Sequence, residues 1–362
     1  MKIAIVGAGI FGMIAALELS EVCSRVEIFE SQSDVLALSS KFNQARLHRG
    51  LHYPRDLPTA IDANKSFSEF SQRFPFAVKN VTQFYVVAKD GSLVSSSQYL
   101  EFIQQAGIDV VELDSLEYVP AKNAALIVKA IESTFETDLI KQFLLNKIWE
   151  TPNITLRLNT TVVKIEEISN KAKIGIVSGE TFEFDRAVVC AYAHNSHLAK
   201  NIGIEWPQTR FEVCEVLLGV APQLENQGIT VMDGPFWSIM PYGFSGLHSL
   251  THVSHTPLDG SNDELLVCQR KHRQCGVLNT FDCNHCNFLP KSNKEAIVDS
   301  VRDFTNGKLD FRYRNSTYVL KAVLNNDDKD GRPTIVRNSS MGLVKFIFSG
   351  KIGDSVTISN LI

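Results

Sequence analysis

Residues 42–55 place Arg46, His48, Arg49, His52 and Arg55 in one polar stretch, Phe42-Asn43-Gln44-Ala45-Arg46-Leu47-His48-Arg49-Gly50-Leu51-His52-Tyr53 and onward. A guanidinium is a planar fork of N–H donors that matches a carboxylate, and a neutral imidazole takes up a proton near neutral pH. The stretch therefore reads as an anion-recognising wall: Arg46 holds a carboxylate, and His48 or His52 assists proton removal from a nearby N–H or O–H. In an extended segment Arg46 and His48 share a side, and Gly50 lets backbone pass close to a bound ring. The competing reading is a solvated basic loop. Two later cations belong to the same chemistry. Arg332, in Asp330-Gly331-Arg332-Pro333, sits either beside a substrate carboxylate or in a plain turn. Lys351, in Ser349-Gly350-Lys351-Ile352, can stabilise negative charge on a bound group together with the N–H groups of residues 350–353, or it is a surface lysine.

Other clusters carry less. His272, Cys275, Cys283, His285 and Cys286 contain one proper zinc half-site, Cys283-x-x-Cys286, but the second half is irregular, and the expectation is no metal. Pro235-Phe236-Trp237-Ser238-Ile239-Met240-Pro241-Tyr242 suits either an apolar pocket wall or a core hairpin. His248, His252 and His255 read as structural histidines. No Walker loop, Ser-His-Asp arrangement or glycosidase carboxylate pair is evident.

These groups need a scaffold, and the N-terminus supplies its outline. Lys2-Ile3-Ala4-Ile5-Val6 reads as a buried strand, Gly7-Ala8-Gly9-Ile10-Phe11-Gly12 as a tight turn, residues 14–22 as a helix, and Val26-Glu27-Ile28-Phe29-Glu30 as a second strand ending in an acid. This is the layout of a dinucleotide-binding βαβ unit. Gly7 permits the turn, Gly9 lets backbone approach a pyrophosphate, Gly12 lets the helix pack on the sheet, and the helix N-terminus faces the phosphates. Glu30, followed by Ser31, accepts from ribose hydroxyls and would repel a 2′-phosphate.

Further on, residues 36–62 read as a loop, 64–73 as a helix, and 83–88 as a strand entering a hairpin at Lys89-Asp90-Gly91. Residues 97–106 and 138–149 read as helices. Strands are expected at 124–131, 154–158, 162–165, 173–177, 181–184 and 187–191, followed by a polar turn at Tyr192 to Ser196. After Pro207 the alternation suggests a different, antiparallel sheet, with a helix at 294–304 and a last buried strand at Phe346-Ile347-Phe348. At 362 residues the chain has room for two domains. A formal net charge of −4 argues against a nucleic-acid footprint, and no apolar run reaches membrane-spanning length. Seven cysteines with no leader peptide ahead of a strand beginning at residue 2 suggest reduced thiols and a cytoplasmic setting.

The chain resembles the D-amino acid oxidase superfamily of FAD-dependent oxidoreductases. The extended fingerprint GxGxxGxxxAxxL…V…E falls on Gly7, Gly9, Gly12, Ala16, Leu19, Val26 and Glu30. Residues 42–53 resemble the segment that passes over the flavin, closest in style to the 2-hydroxyglutarate dehydrogenase branch. Thr161-Val162-Val163 resembles the strand holding the adenine side, Val188-Val189-Cys190-Ala191 the late strand, and Ser349-Gly350-Lys351-Ile352 the loop near the flavin pyrimidine. The usual Ala-Thr-Gly after the late strand is replaced by Cys190-Ala191-Tyr192-Ala193. The resemblance implies an α/β fold: a Rossmann-like FAD-binding domain from 1–79, 137–203 and 330–362, and a mostly antiparallel β (α+β) substrate domain from 80–136 and 204–329. It implies FAD held by Gly7, Gly9, Ile10, Phe11, Gly12, Glu30, Ser31, Arg46, Leu47, His48, Val162, Val163, Ala191, Tyr192, Gly350, Lys351 and Ile352, with Arg46, His48, His52 and Arg332 at the substrate. The implied reaction is oxidation of a C–N bond in a small, carboxylate-bearing amine or amino acid, by hydride transfer to flavin N5. A 2-hydroxy acid is the alternative substrate. An NAD-dependent dehydrogenase and a non-catalytic flavin- or NAD-binding protein are the rival classes.

Overall fold

The structure is a computed structural model that describes residues 1–262, 284, 289–325 and 331–362. Its centre is a six-stranded sheet in the order Ile335–Asn338, Val344–Phe348, Arg186–Val189, Lys2–Val6, Arg25–Phe29, Ile154–Arg157. All neighbours are parallel except the first pair. The central strands are apolar on both faces, as a parallel sheet covered on both sides requires. One face packs on helices Ile10–Ser20 and Thr137–Glu150 through Ile5, Met13, Ile28 and Leu144. The other face, through Ala4, Val6, Val189 and Phe346, meets the three-stranded antiparallel sheet Val162–Ile168, Lys171–Ile176 and Thr181–Phe184 and the helix Asn195–Asn201.

A second, ten-stranded sheet stands beside this unit. Its pairings are antiparallel except between Val78–Ala88 and Gln227–Met232, which run parallel. Its long strands are Ala124–Phe135, Thr209–Val220 and Arg312–Leu324. The last of these pairs along its length with Thr209–Val220, and among the described residues no strand lies on its other edge. Helix Lys294–Thr305 covers one part of the sheet through Ile297 and Val301, and helix Ser96–Ala106 covers another through Tyr99 and Phe102. The fold is thus α/β around the parallel sheet with a mostly antiparallel partner.

The structure corrects two local expectations. The turn at Lys89-Asp90-Gly91 does not close a hairpin. Strand Val78–Ala88 leads instead into helix Ser96–Ala106, where Ser95 and Gln98 form a capping box, and its antiparallel partner is the more distant Ala124–Phe135. The expected loop at 36–62 ends early. Helix Leu57–Arg73 begins inside it because Asp56 accepts from the Thr59 N–H and Pro58 stands in the first turn.

Candidate active site

The carboxyl ends of strands Lys2–Val6, Arg25–Phe29, Arg186–Val189 and Val344–Phe348 open on one side, where ligands bind in open α/β sheets. Gly7 leaves its strand at φ +98°, and a Cβ there would stand 2.7 Å from the Cys190 carbonyl oxygen. A Cβ on Gly12 would stand 1.8 Å from the Gly7 carbonyl oxygen, so helix and turn touch through bare backbone. The helix starts at Gly9 without a side-chain cap and without an acid in its first turn. The Ile10 N–H donates to Ser40 Oγ at 3.1 Å. Beside it, Glu30 Oε2 accepts from the Ala8 N–H at 2.7 Å, and Oε1 accepts from the Gln32 N–H at 2.8 Å and from Ser31 Oγ at 3.1 Å.

One cavity of about 810 Å³ begins at this turn and extends beneath the antiparallel sheet. Gly7, Gly9, Ile10, Phe11, Glu30, Ser31, Val162, Ala191, Tyr192, Gly350, Lys351 and Ile352 line it, as do Arg46, His48, His52 and Arg332. Gly12, Leu47 and Val163 do not line it. Gly12 is spent on packing against Gly7, and Leu47 is buried in the core behind the wall.

Arg46 is placed differently from the expectation. Its Nε and Nη2 donate to Glu132 Oε2 at 3.0 and 2.8 Å, its Nη2 to the Tyr85 hydroxyl at 2.7 Å, and its Nη1 to Thr230 and Ser238 at 3.2 and 3.0 Å. Those contacts occupy the five donors of a guanidinium. Arg46 therefore lends charge to the cavity wall but has no N–H left to hold a substrate carboxylate. Arg49 turns out of the wall, donating to Asn64 across the face of Phe67. Gly50 packs against helix backbone, since a Cβ there would lie 2.6 Å from Ala60 Cα, and this accounts for the glycine without a ligand. Lys351 Nζ is buried between Asp354 Oδ2, at 3.1 Å, and the Arg332 carbonyl oxygen. The His272 to Cys286 group and Asp330 lie outside the described residues.

A family model described as FAD dependent oxidoreductase matches residues 2–243. The chain belongs to this family. Two fungal relatives carry monooxygenase names. The FAD-dependent monooxygenase FPY4 of Fusarium mangiferae is 26% identical over 268 residues, covering 71% of this chain and 65% of that protein. The FAD-dependent monooxygenase kojA of Aspergillus flavus is 28% identical over 282 residues, covering 73% and 64%. The chain thus spans just under two thirds of the length of these curated relatives. Among solved structures, glycine oxidase from Geobacillus kaustophilus aligns with TM-score 0.73 and 13% identity, covering 99% of this chain and 92% of the other. The FAD-bound L-alpha-glycerophosphate oxidase from Mycoplasma pneumoniae aligns with TM-score 0.76 and 14% identity, with the same coverage. Both share the fold with this FAD-dependent oxidoreductase.

The site fits FAD. The uncapped helix end, the Gly9 surface where a Cβ would meet only Ser40 Oγ at 3.2 Å, and the buried Glu30 carboxylate form a cradle for a diphosphate and a ribose at one end of the cavity. Several lining residues gave no signal in the sequence. Ser40 comes from a polar loop and Lys321 from a strand expected only to alternate, while Glu132 and Tyr85, which hold Arg46 from behind the wall, come from separate strands of the second sheet.

His48 and His52 stand with ring centroids 4.2 Å apart, and neither Nδ1 has a hydrogen-bond partner. Burial pushes both well below the ordinary imidazole range. The charges of Arg46 and Lys351 add to this at His48, and His48, Arg46, Arg332 and Lys321 add to it at His52. Burial also takes His194 and His252 down to about 4. These imidazoles are neutral in the folded protein, while the unfolded chain protonates them near pH 6.5. The unfolded state then binds more protons as pH falls, so stability is full above that value and is lost below it. Each histidine should contribute a slope approaching ~1.4 kcal/mol per pH unit between its two pKa values. Urea denaturation at pH 7 and pH 5 should show that loss, and His48→Asn should flatten it.

Proposed function

We propose that this enzyme oxidises the C–N bond of a small amine or amino acid bearing a carboxylate. The observation that supports it most is the single cavity joining a dinucleotide cradle to a far wall of neutral imidazoles and cations. FAD, held by the turn at Gly7 and Gly9, by Glu30 and by the loop at residues 350–352, would supply a two-electron acceptor for a hydride from the substrate carbon. The chain's own residues bind, orient and exclude water. Neutral His52, which lines the cavity, is the residue we assign to take up the amine proton. Cations on the wall face an anion, but most are already compensated: Arg46 by Glu132, Arg55 by Asp233, Arg210 by Glu212 and Lys351 by Asp354. Lys321 lines the same wall, and among the described residues no carboxylate lies within ion-pair distance of it. Lys321, with Arg332 nearby in the wall, is therefore the anchor we assign to the substrate carboxylate.

Anaerobic mixing of FAD-loaded protein with a panel of amino acids, amines and 2-hydroxy acids tests this reading. Carboxylate-bearing amines should bleach the yellow flavin absorbance without any other reductant. Bleaching by hydroxy acids alone would shift the assignment to C–O oxidation. The names of the fungal relatives supply a further alternative: bleaching only with NADH or NADPH would favour monooxygenation and overturn the proposal.

A further inference from the structure

Among the described residues no strand pairs with the second edge of strand Arg312–Leu324, and edge backbone groups need partners. Asn284 supplies part of that need: its side chain accepts from the Tyr318 N–H at 2.8 Å and donates to the Tyr318 carbonyl oxygen at 2.7 Å. On that edge two hydroxyls reach across from the cofactor side and bracket Lys321. Ser39 Oγ donates to the Leu320 carbonyl oxygen at 3.1 Å, and the Ala322 N–H donates to the Tyr192 hydroxyl at 3.1 Å. Both hydroxyls come from elements that form the cofactor cradle. Ser39 precedes Ser40, which accepts from Ile10 at the helix N-terminus. Tyr192 follows the strand Arg186–Val189, and its ring stacks on Phe348 with centroids 5.3 Å apart and planes 8° apart. Tyr192 also sits at φ +50°, a left-handed conformation costly for an aromatic residue. The stacking and the phenol bond hold a tyrosine in this conformation. Strain of this kind persists where surrounding contacts over-determine it, as they do at functional sites.

We propose that Ser39 and Tyr192 are positioning residues that clamp the second edge of this strand on both sides of Lys321 and so set Lys321 at a fixed distance from the cofactor cradle. This rests on the reading of Lys321 as the anion anchor. The clamp makes substrate recognition depend on two hydrogen bonds that touch neither substrate nor reacting atoms.

The test uses the FAD-loaded full chain, with monocarboxylates from acetate to benzoate as probes and the change in flavin absorbance as readout. Wild type should respond saturably, and Lys321→Met should lose the response. Tyr192→Phe keeps the ring and its stack, and Ser39→Ala keeps the loop. Each should weaken carboxylate binding by about fivefold to tenfold, the worth of one hydrogen bond, while FAD affinity changes less than about twofold. On the Lys321→Met background, Tyr192→Phe should have no further effect on probe binding. If Lys321→Met binds the probes like wild type, or wild type responds to none, the anion anchor is wrong. If Lys321→Met loses binding while Tyr192→Phe and Ser39→Ala do not, the anchor stands and the clamp is overturned. Equal loss of FAD and probe in the clamp variants would also overturn it, because the bonds would then serve the fold at large.

Discussion

Replacing Glu132 with Gln is expected to destabilise the protein by about 3–5 kcal/mol, the range found when one partner of a buried ion pair is removed. Glu132 is fully buried, and Arg46, its partner, has a side chain 6% exposed. The carboxylate accepts from Arg46 twice, from the Tyr85 hydroxyl at 2.5 Å and from the Arg49 N–H at 3.2 Å. Burial alone would make the guanidinium easier to deprotonate, yet Glu132 and Tyr85 hold it above its ordinary value. The neutral amide leaves a cation in the interior with no counter-charge. A urea midpoint shifted down with an unchanged slope would show this as loss of stability alone. Adding Arg46→Met to Glu132→Gln should recover a large part of the loss, because the pair is coupled. A single variant within about 0.5 kcal/mol of wild type, the range usual for an inconsequential surface change, would show that the pair is not what holds this wall.

Gly12→Ala should abolish stable FAD binding. Its Cβ would overlap the Gly7 carbonyl oxygen at 1.8 Å, and relief requires the turn itself to move. Overpacking of this kind costs about 1–3 kcal/mol in stability, and the displaced turn loses cofactor affinity by at least about tenfold. Gly9→Ala separates the two effects. Its Cβ would meet only Ser40 Oγ at 3.2 Å, so the fold should survive while the surface offered to the diphosphate is blocked. Colourless Gly12→Ala of reduced melting temperature, beside colourless Gly9→Ala of near wild-type melting temperature, is the expected pair. A yellow Gly12→Ala protein of normal stability would remove the turn from its assigned place.

The parallel sheet and its glycine turn were legible because they are local. Strand, turn, helix and acid follow one another within residues 2–30, and each residue type has one evident geometric use. The cations were legible as types but not in their pairings. Arg46 resembles a substrate ligand until the fold brings Glu132, Tyr85, Thr230 and Ser238 to it from four other strands, a convergence without trace in its own segment. Lys321 failed to stand out for the opposite reason. In sequence it is one lysine in an alternating strand, and only the engagement of its neighbours elsewhere makes it distinctive. The misread hairpin had the same origin: Lys89-Asp90-Gly91 is good turn chemistry, but the partner strand is set by a sheet that closes over a long stretch of chain.

The central sheet interleaves strands from residues 2–6, 186–189 and 344–348. During synthesis the glycine elbow is made well before the strand at 186–189 that covers the second flank of residues 2–6, and the loop at 349–352 arrives later still. Non-local closures of this kind are slow and leave apolar edges open meanwhile. A complete cofactor cradle thus needs segments far apart in the chain to be in place together, so flavin, which binds only the closed arrangement, would act on the yield of correctly folded protein as well as on its turnover.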